Sequence, residues 1–151
     1  MKTTIALYEH LGEIARIERA SYHPELVTSL QGFTKILEST GDLGELVVAL
    51  SKTRRVLGFI HYSLAEPRVL TLFDLAVDPA NRGKGVGRLL LRKLLRVAAE
   101  RRRKLIRLHV PQDNIEALSL YLRHGFRATS KLRNYYPGRR DGWVLEKKIE
   151  G

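Results

Sequence analysis

Residues 72–96 read LFDLAVDPANRGKGVGRLLLRKLLR. An apolar run typical of a strand ends at Val77, a short turn follows, and Gly83, Gly85 and Gly87 lead into an amphipathic helix. A helix that begins at glycines presents unpaired backbone N–H groups and the positive end of its dipole, an arrangement that holds pyrophosphate. The stretch therefore predicts a strand–loop–helix unit that binds an anionic cofactor.

Two common phosphate-binding loops are excluded by residue spacing. A Walker loop needs Ser or Thr directly after its lysine. In this chain Lys84 is followed by Gly85 and Val86, so the requirement is not met. A dinucleotide-binding loop needs a third glycine where this chain has Arg88. The remaining pattern is R-x-x-G-x-G, starting at Arg82 and following a strand.

This pattern resembles the acetyl-CoA loop of the GNAT superfamily of N-acetyltransferases. The resemblance implies acetyl-CoA as cosubstrate and no metal. The residues that it implies in cofactor binding are Leu75, Ala76, Val77, Arg82, Gly83, Lys84, Gly85, Val86, Gly87 and Arg88.

Composition limits the class of protein. The chain has 151 residues, of which 44% are hydrophobic and 28% charged, so we expect one globular domain over 1–151. No apolar run is long enough to span a bilayer, and charged residues interrupt the first twenty positions, so we expect no membrane segment, no signal peptide and a cytoplasmic location. The chain has no cysteine, which excludes disulfides, thiolate nucleophiles and Cys-ligated zinc.

The formal net charge of +11 is unevenly distributed. Residues 1–50 contain four Lys or Arg against seven Asp or Glu, whereas residues 82–107 contain eleven Lys or Arg and one acid, Glu100. The basic segment is expected to attract polyanions, such as coenzyme A phosphates and a ribosomal or RNA neighbour. An ordinary solvated helix face is the alternative, because Arg88, Arg92 and Arg96 recur every four residues and no aromatic residues accompany them.

Hydrophobic periodicity predicts an α/β (α+β) fold, with a mixed central sheet of about six or seven strands flanked by about four helices. The predicted strands are residues 3–7, 45–51, 56–64, 69–77, 105–110, 126–132 and 143–149. The predicted helices are residues 11–18, with a break at 21–24, residues 27–37, a helix that follows the glycine loop and ends near residues 101–104, and residues 114–124. Tyr135 and Tyr136 are predicted to lie in the loop between the last two strands.

A second motif follows the fifth predicted strand. Residues 108–126 contain V-x-x-x-N-x-x-A-x-x-x-Y-x-x-x-G-F, in which Asn114 can cap a helix and Ala117 and Tyr121 share one helix face. The pattern resembles the second acetyl-CoA motif of GNAT enzymes, and with Asn134-Tyr135-Tyr136-Pro137 it is most similar to the branch of ribosomal-protein alanine and other protein N-terminal acetyltransferases. The resemblance implies that Asn114 and Ala117 contact the cofactor.

The same resemblance implies two proton-transfer residues. Tyr121 would protonate the departing thiolate, since a phenol stays protonated at neutral pH; packing is the alternative role. His109 would deprotonate the amine, where bacterial ribosomal-protein enzymes generally have glutamate; a purely structural strand residue is equally open. His10, His23, His61 and His124 match no motif, and we expect them to be structural or exposed.

Substrate binding is expected from two regions. The resemblance implies that Tyr135 and Tyr136 grip the backbone of a peptide, with Tyr22 and Glu25 of the first loop on the opposite wall; an ordinary hairpin edge is the alternative. The expected function is acetyl transfer from acetyl-CoA to a primary amine, above all a protein or peptide N-terminus. A small-amine acetyltransferase, of polyamines or drugs, and a non-catalytic acyl-CoA-binding module are the alternatives.

Overall fold

A mixed sheet of seven strands organises this computed structural model, which describes residues 1–21, 30–39 and 43–150. In chain order the strands are β1 (Lys2–Ile5), β2 (Gly44–Leu50), β3 (Val56–Ser63), β4 (Val69–Val77), β5 (Leu105–Pro111), β6 (Arg127–Tyr136) and β7 (Arg140–Lys148). The α-helices of the described residues are α1 (Leu11–Ser21), α2 (Leu30–Glu38), α3 (Val86–Glu100) and α4 (Ile115–Arg123). The predicted fold class, strand number and helix number are confirmed.

The strand order across the sheet is β1-β2-β3-β4-β5-β7-β6. Every neighbouring pair is antiparallel except β4 and β5, which run parallel. A parallel pair requires a crossover connection, and α3 supplies it between these two strands. The one parallel contact therefore lies in the middle of the sheet, and the glycine-rich loop belongs to the crossover that joins its two strands.

Apolar side chains cover both faces of the sheet. On one face, α3 buries Leu90, Leu91 and Leu94 against residues that include Ile60 and Tyr62 of β3. On the other face, residues of α1 and α2 pack against Phe59 of β3, and the rings of Phe33 and Phe59 meet edge to face at 5.8 Å. Because strand side chains alternate between the two faces of a sheet, the neighbours Phe59 and Ile60 belong to the cores on opposite faces.

The last two strands are longer than predicted, and this corrects the position of the tyrosine pair. Tyr135 and Tyr136 are the final residues of β6 rather than part of a loop. The reason is a bulge at Asn134, which has φ +51° and donates its N–H to Asp141 Oδ1 at 2.9 Å. Pairing then resumes between Tyr136 and Arg140, so that only three residues, 137–139, form the turn.

The other boundaries differ from prediction by a few residues at most. Helix α1 extends to Ser21, and β1 ends at Ile5 rather than at residue 7. Helix α2 is described from Leu30, while positions 27–29 of the predicted helix lie outside the described residues.

Candidate active site

Strands β4 and β5 separate halfway along their length. Their parallel pairing runs from Val69 opposite Leu105 to Leu72 opposite Leu108 and does not continue beyond. At the same point β4 bulges against β3, where His61 pairs with Asp74 but the next residue, Tyr62, pairs with Leu72. The extra residue, Phe73, bends β4 away from β5 and opens a gap in the centre of the sheet.

The glycine-rich loop leads into α3 at the edge of this gap. Gly83 and Gly85 have φ +76° and +86°, which a glycine adopts without the steric cost of a Cβ. Gly85 caps the helix in a left-handed conformation, and the first helical hydrogen bond is donated by Leu89 N–H to Gly85 at 3.0 Å. The amides of the first helical turn, at residues 86–88, therefore precede the internal bonding pattern of the helix and can bind an anion.

The turn before this loop is fixed by Asp78. Its carboxylate accepts hydrogen bonds from Ala80 N–H at 3.3 Å and from Arg16 Nη2 at 3.1 Å. These donors, the Arg16 guanidinium foremost, lower the pKa of Asp78. The contact ties α1 to the end of β4 and holds the start of the loop in place.

A cleft of about 900 Å³ lies between the end of β4, the loop, the start of α3 and one side of α4. Its wall includes every residue that the sequence predicted for the cofactor except Lys84: Leu75, Ala76, Val77, Arg82, Gly83, Gly85, Val86, Gly87, Arg88, Asn114 and Ala117. Asn114 caps α4 by accepting a hydrogen bond from Ala117 N–H at 3.3 Å, which confirms the predicted cap.

The glycines make this cleft suitable for a phosphate-bearing cofactor. A Cβ at Gly87 would lie 3.4 Å from Leu120 and 3.7 Å from Val77, so a side chain there would project between the two walls of the cleft. At Gly83 and Gly85 a Cβ would meet nothing within 4 Å, and the backbone of the loop is therefore open to a ligand. Arg82 and Lys84 are exposed cations beside this backbone, and they add positive charge to the entrance of the cleft.

A second, smaller cavity of about 160 Å³ occupies the gap between β4 and β5. Tyr121 reaches it from α4, His109 from β5 and Tyr136 from β6. Leu75, Pro111, Asn114 and Ala117 line both the cavity and the larger cleft. The two openings thus share a wall, and we refer to the smaller one as the acceptor cavity.

Tyr121 is 5% exposed, and its ring packs against that of Phe126 with a centroid distance of 5.5 Å. Among the described residues its hydroxyl has no hydrogen-bond partner, although the residue lines the acceptor cavity. Burial, and then the negative charge of Asp74, raise the pKa of Tyr121. The phenol is therefore protonated at neutral pH and can act as a proton donor.

His109 lies at the exposed side of the acceptor cavity. Its Nδ1 lies 3.2 Å from the hydroxyl of Tyr135, and the two rings meet edge to face at 5.3 Å. Burial, and then the positive charge of Arg107, lower the pKa of His109 below its ordinary value of 6.5. The imidazole is therefore neutral at pH 7 and has a nitrogen that can accept a proton.

The two tyrosines of the pair face different surroundings, one the solvent and the other the acceptor cavity. Tyr135 is 55% exposed, whereas Tyr136 is half-buried and lines the acceptor cavity. Their rings meet edge to face at 5.0 Å. Burial raises the pKa of Tyr136 to about 12, with Tyr135 as a smaller cause in the same direction. Adjacent strand residues point to opposite sides, and this explains the division.

Asp74 and His61 are the residues of this region that sequence reasoning missed. Asp74 lines the acceptor cavity, and His61 Nδ1 lies 3.9 Å from its Oδ2. The sequence contains one sign of a functional role for Asp74, which is that its carboxylate interrupts the apolar run of a central strand. Tyr22 and Glu25, predicted as the opposite wall, lie outside the described residues.

Residues 1–21, 30–39 and 43–150 contain no group of three or more His, Asp or Glu side chains placed to hold a metal ion. In the same described part of the chain, no helix combines the length and apolar character needed to cross a membrane.

Comparison with known proteins places this geometry in a family. The sequence model of the Acetyltransferase (GNAT) family matches residues 4–126. The chain is 35% identical over 98 residues to a mycothiol acetyltransferase of Jonesia denitrificans, covering 64% of this chain and 31% of that protein. It is 38% identical over 78 residues to the [ribosomal protein bS18]-alanine N-acetyltransferase of Escherichia coli K12, covering 50% of this chain and 53% of that protein. The chain thus matches about a third to a half of the length of these relatives.

Among solved structures, Ard1 from Thermoplasma volcanium superimposes with a TM-score of 0.89 at 23% identity, covering 99% of this chain and 98% of that one. At this identity the likeness shows a shared fold.

Proposed function

Because the chain belongs to the GNAT acetyltransferase family, we propose that it is a single N-acetyltransferase domain. The domain transfers the acetyl group of acetyl-CoA to a primary amine. This amine is the N-terminus of a protein or peptide. The relatives that it matches include enzymes named for a ribosomal-protein alanine and for mycothiol, so the family alone does not select the acceptor. The residues around the cavity favour a peptide N-terminus.

One observation carries the proposal of acetyl transfer. The cleft at the glycine loop and the acceptor cavity share four wall residues at the point where β4 and β5 separate. A cofactor held by its phosphates at α3 can therefore extend its far end towards the cavity that contains Tyr121 and His109. The separation of the strands supplies a passage through the sheet for the two reactants to meet.

The chemistry that the bound cofactor supplies is an acetyl thioester, which a neutral amine attacks. Tyr121 donates the proton of its hydroxyl to the leaving sulfur, since its raised pKa keeps the phenol protonated at neutral pH. His109 accepts the proton of the amine, directly or through a water, because its imidazole is neutral at pH 7. A peptide α-amine with a pKa of ~8 matches this base better than a lysine ammonium with a pKa of ~10.4.

The tyrosine pair supports a peptide as the acceptor. Tyr135 is anchored to His109 by ring contact and by its hydroxyl, and it presents its remaining surface to solvent at the mouth of the cavity. Tyr136 forms part of the cavity wall. A peptide terminus entering the cavity would pass along these rings, which can contact its backbone without regard to side-chain identity.

An exposed basic surface supports a polyanionic neighbour such as the ribosome. Arg92, Arg96, Arg102 and Lys104 are all exposed on or just after α3. Cosedimentation with ribosomes at low salt that is lost at high salt is the expected result. Absence of cosedimentation at low salt would contradict this partner.

The proposal is tested by an acetyl-transfer assay on a panel of peptides that vary in their first two residues. Peptides with a blocked N-terminus and an internal lysine serve as controls, and we expect transfer to free N-termini only. A second panel of spermidine and aminoglycosides tests the small-amine alternative. Efficient acetylation of that panel without any peptide would refute the N-terminal assignment, and binding of acetyl-CoA without transfer to either panel would indicate a non-catalytic module.

A further inference from the structure

Asp74 occupies an unusual position for a carboxylate. It lies in the interior of β4, in the middle of the sheet, and its side chain is 22% exposed. The wall of the acceptor cavity contains this one acidic residue among the described residues. A carboxylate at such a site is normally paired with a cation or hydrogen-bonded, because burying an uncompensated charge is costly.

The bulge at Phe73 determines where the carboxylate points. Asp74 pairs with His61, whose neighbours in β3 belong to the core on the α3 side. Because strand side chains alternate, His61 and Asp74 project towards the α1–α2 side of the sheet. Tyr121 comes from α4 on the α3 side, yet both Asp74 and Tyr121 line the acceptor cavity. The gap in the sheet therefore exposes Asp74 to a molecule that enters opposite the cofactor cleft.

The carboxylate lacks a cationic partner in the described part of the chain. His61 Nδ1 is 3.9 Å from Asp74 Oδ2, but burial lowers the pKa of His61 to about 4, so the imidazole is neutral at pH 7. The other titratable groups that line the cavity are His109 of β5, Tyr121 of α4 and Tyr136 of β6, and all three are neutral at that pH. Burial without compensation raises the pKa of Asp74 to about 6.

We propose that Asp74 binds the ammonium form of the acceptor and thereby makes the cavity selective for cationic amines. The inference rests on the proposed acetyl transfer to a primary amine and names the charge that the acceptor carries when it binds. An ammonium ion supplies the missing positive charge and up to three N–H donors in a partly dehydrated site, where such a pair is stronger than in water. Bound in this way, the amine lies in the same cavity as His109, which can then accept its proton.

The two ionisations define a pH window for this recognition. Asp74 is anionic above its pKa of about 6. A peptide α-amine is cationic below its pKa of ~8. Both partners are charged between these values, so ammonium binding should be strongest near neutral pH and should weaken as the pH falls through 6, when the carboxyl gains a proton.

The test compares two neutral-backbone ligands that differ in charge, alaninamide and lactamide, in which a hydroxyl replaces the ammonium group. Their affinities for the wild-type protein with CoA present are measured by calorimetry or NMR at pH 7. We expect alaninamide to bind at least about tenfold more tightly than lactamide. In Asp74→Asn, which keeps the side-chain shape, the ratio should fall to about one. Glu100→Gln, which removes an exposed negative charge at the end of α3, should retain the wild-type ratio.

A measurement on the wild type does not depend on how the variant folds. The ¹³C resonance of the Asp74 carboxyl should titrate near pH 6, and saturating alaninamide should move its midpoint to lower pH, whereas lactamide should leave it in place. An unchanged ratio in a folded Asp74→Asn, equal binding of the two ligands by the wild type, or a carboxyl that does not respond to alaninamide would each overturn the inference. Peptide acetylation is not measured in these experiments, so the proposed function can fail in its own panel while ammonium selectivity holds.

Discussion

Replacement of Tyr121 by phenylalanine separates catalysis from packing. The substitution removes the hydroxyl and keeps the ring that meets Phe126 at a centroid distance of 5.5 Å. In the described part of the chain the hydroxyl makes no hydrogen bond, so no protein partner is left unsatisfied by its removal. The free energy of unfolding should therefore change by less than about 1 kcal/mol.

The effect on acetyl transfer should be much larger. Loss of a general acid costs about 100-fold in rate, equivalent to about 2.7 kcal/mol in activation free energy. The acetyl-CoA affinity should be nearly unchanged, because Tyr121 lines the acceptor cavity and is absent from the wall of the larger cleft. The decrease should appear in the single-turnover rate of transfer and not in the dissociation constant of the cofactor.

The assay follows a single turnover by rapid quench with excess enzyme, and calorimetry measures cofactor binding. Tyr8→Phe is the matched control, because Tyr8 is 61% exposed and lines neither opening. A Tyr121→Phe variant that is as stable as the parent and transfers acetyl at the parent rate would refute the role of proton donor and leave Tyr121 as a packing residue.

Three further predictions concern the cleft, the tyrosine pair and the turn before the loop. Gly87→Val should weaken acetyl-CoA binding by at least ~100-fold in calorimetry while the circular dichroism spectrum stays that of a folded protein. The methyl groups of the valine would extend from a Cβ that would lie 3.4 Å from Leu120 across the cleft. Undiminished binding would contradict the cofactor site. Tyr135→Ala should raise KM for peptide about tenfold and leave KM for acetyl-CoA unchanged, and equal changes in both would argue against a peptide-binding role. Asp78→Ala should lower the free energy of unfolding by about 1 kcal/mol at pH 7, through loss of the Arg16 pair and of the turn cap. Since the folded-state pKa of Asp78 is lowered, its contribution to the free energy of unfolding is fully present above the unfolded pKa of ~3.9 and is lost as the pH falls through the folded value. Urea unfolding at pH 3 should therefore show a smaller difference between parent and variant than unfolding at pH 7.

The order of strands and helices could be predicted from the sequence because each signal was local. The apolar run that ends at Val77, the glycines and the periodic leucines of α3 fixed a β–α unit without reference to the rest of the chain. Asn114 was predicted as a helix cap for the same reason, since its side chain bonds an amide three residues away. The end of β6 was predicted wrongly, because the bulge at Asn134 is held by Asp141 of the neighbouring strand.

The amino-acid sequence by itself determined the family, the glycine loop and eleven of the residues that line the cleft. Only the tertiary structure decided that β4 and β5 separate, because pairing between strands depends on contacts between residues about thirty-six positions apart, such as Leu72 and Leu108. That separation brings Asp74, His109 and Tyr121 into one cavity, in which Asp74 has no cationic partner among the described residues. Burial and charge in the cavity arise from several elements together, so a linear pattern of residues could not reveal the pKa of this carboxyl or its position opposite the cofactor cleft.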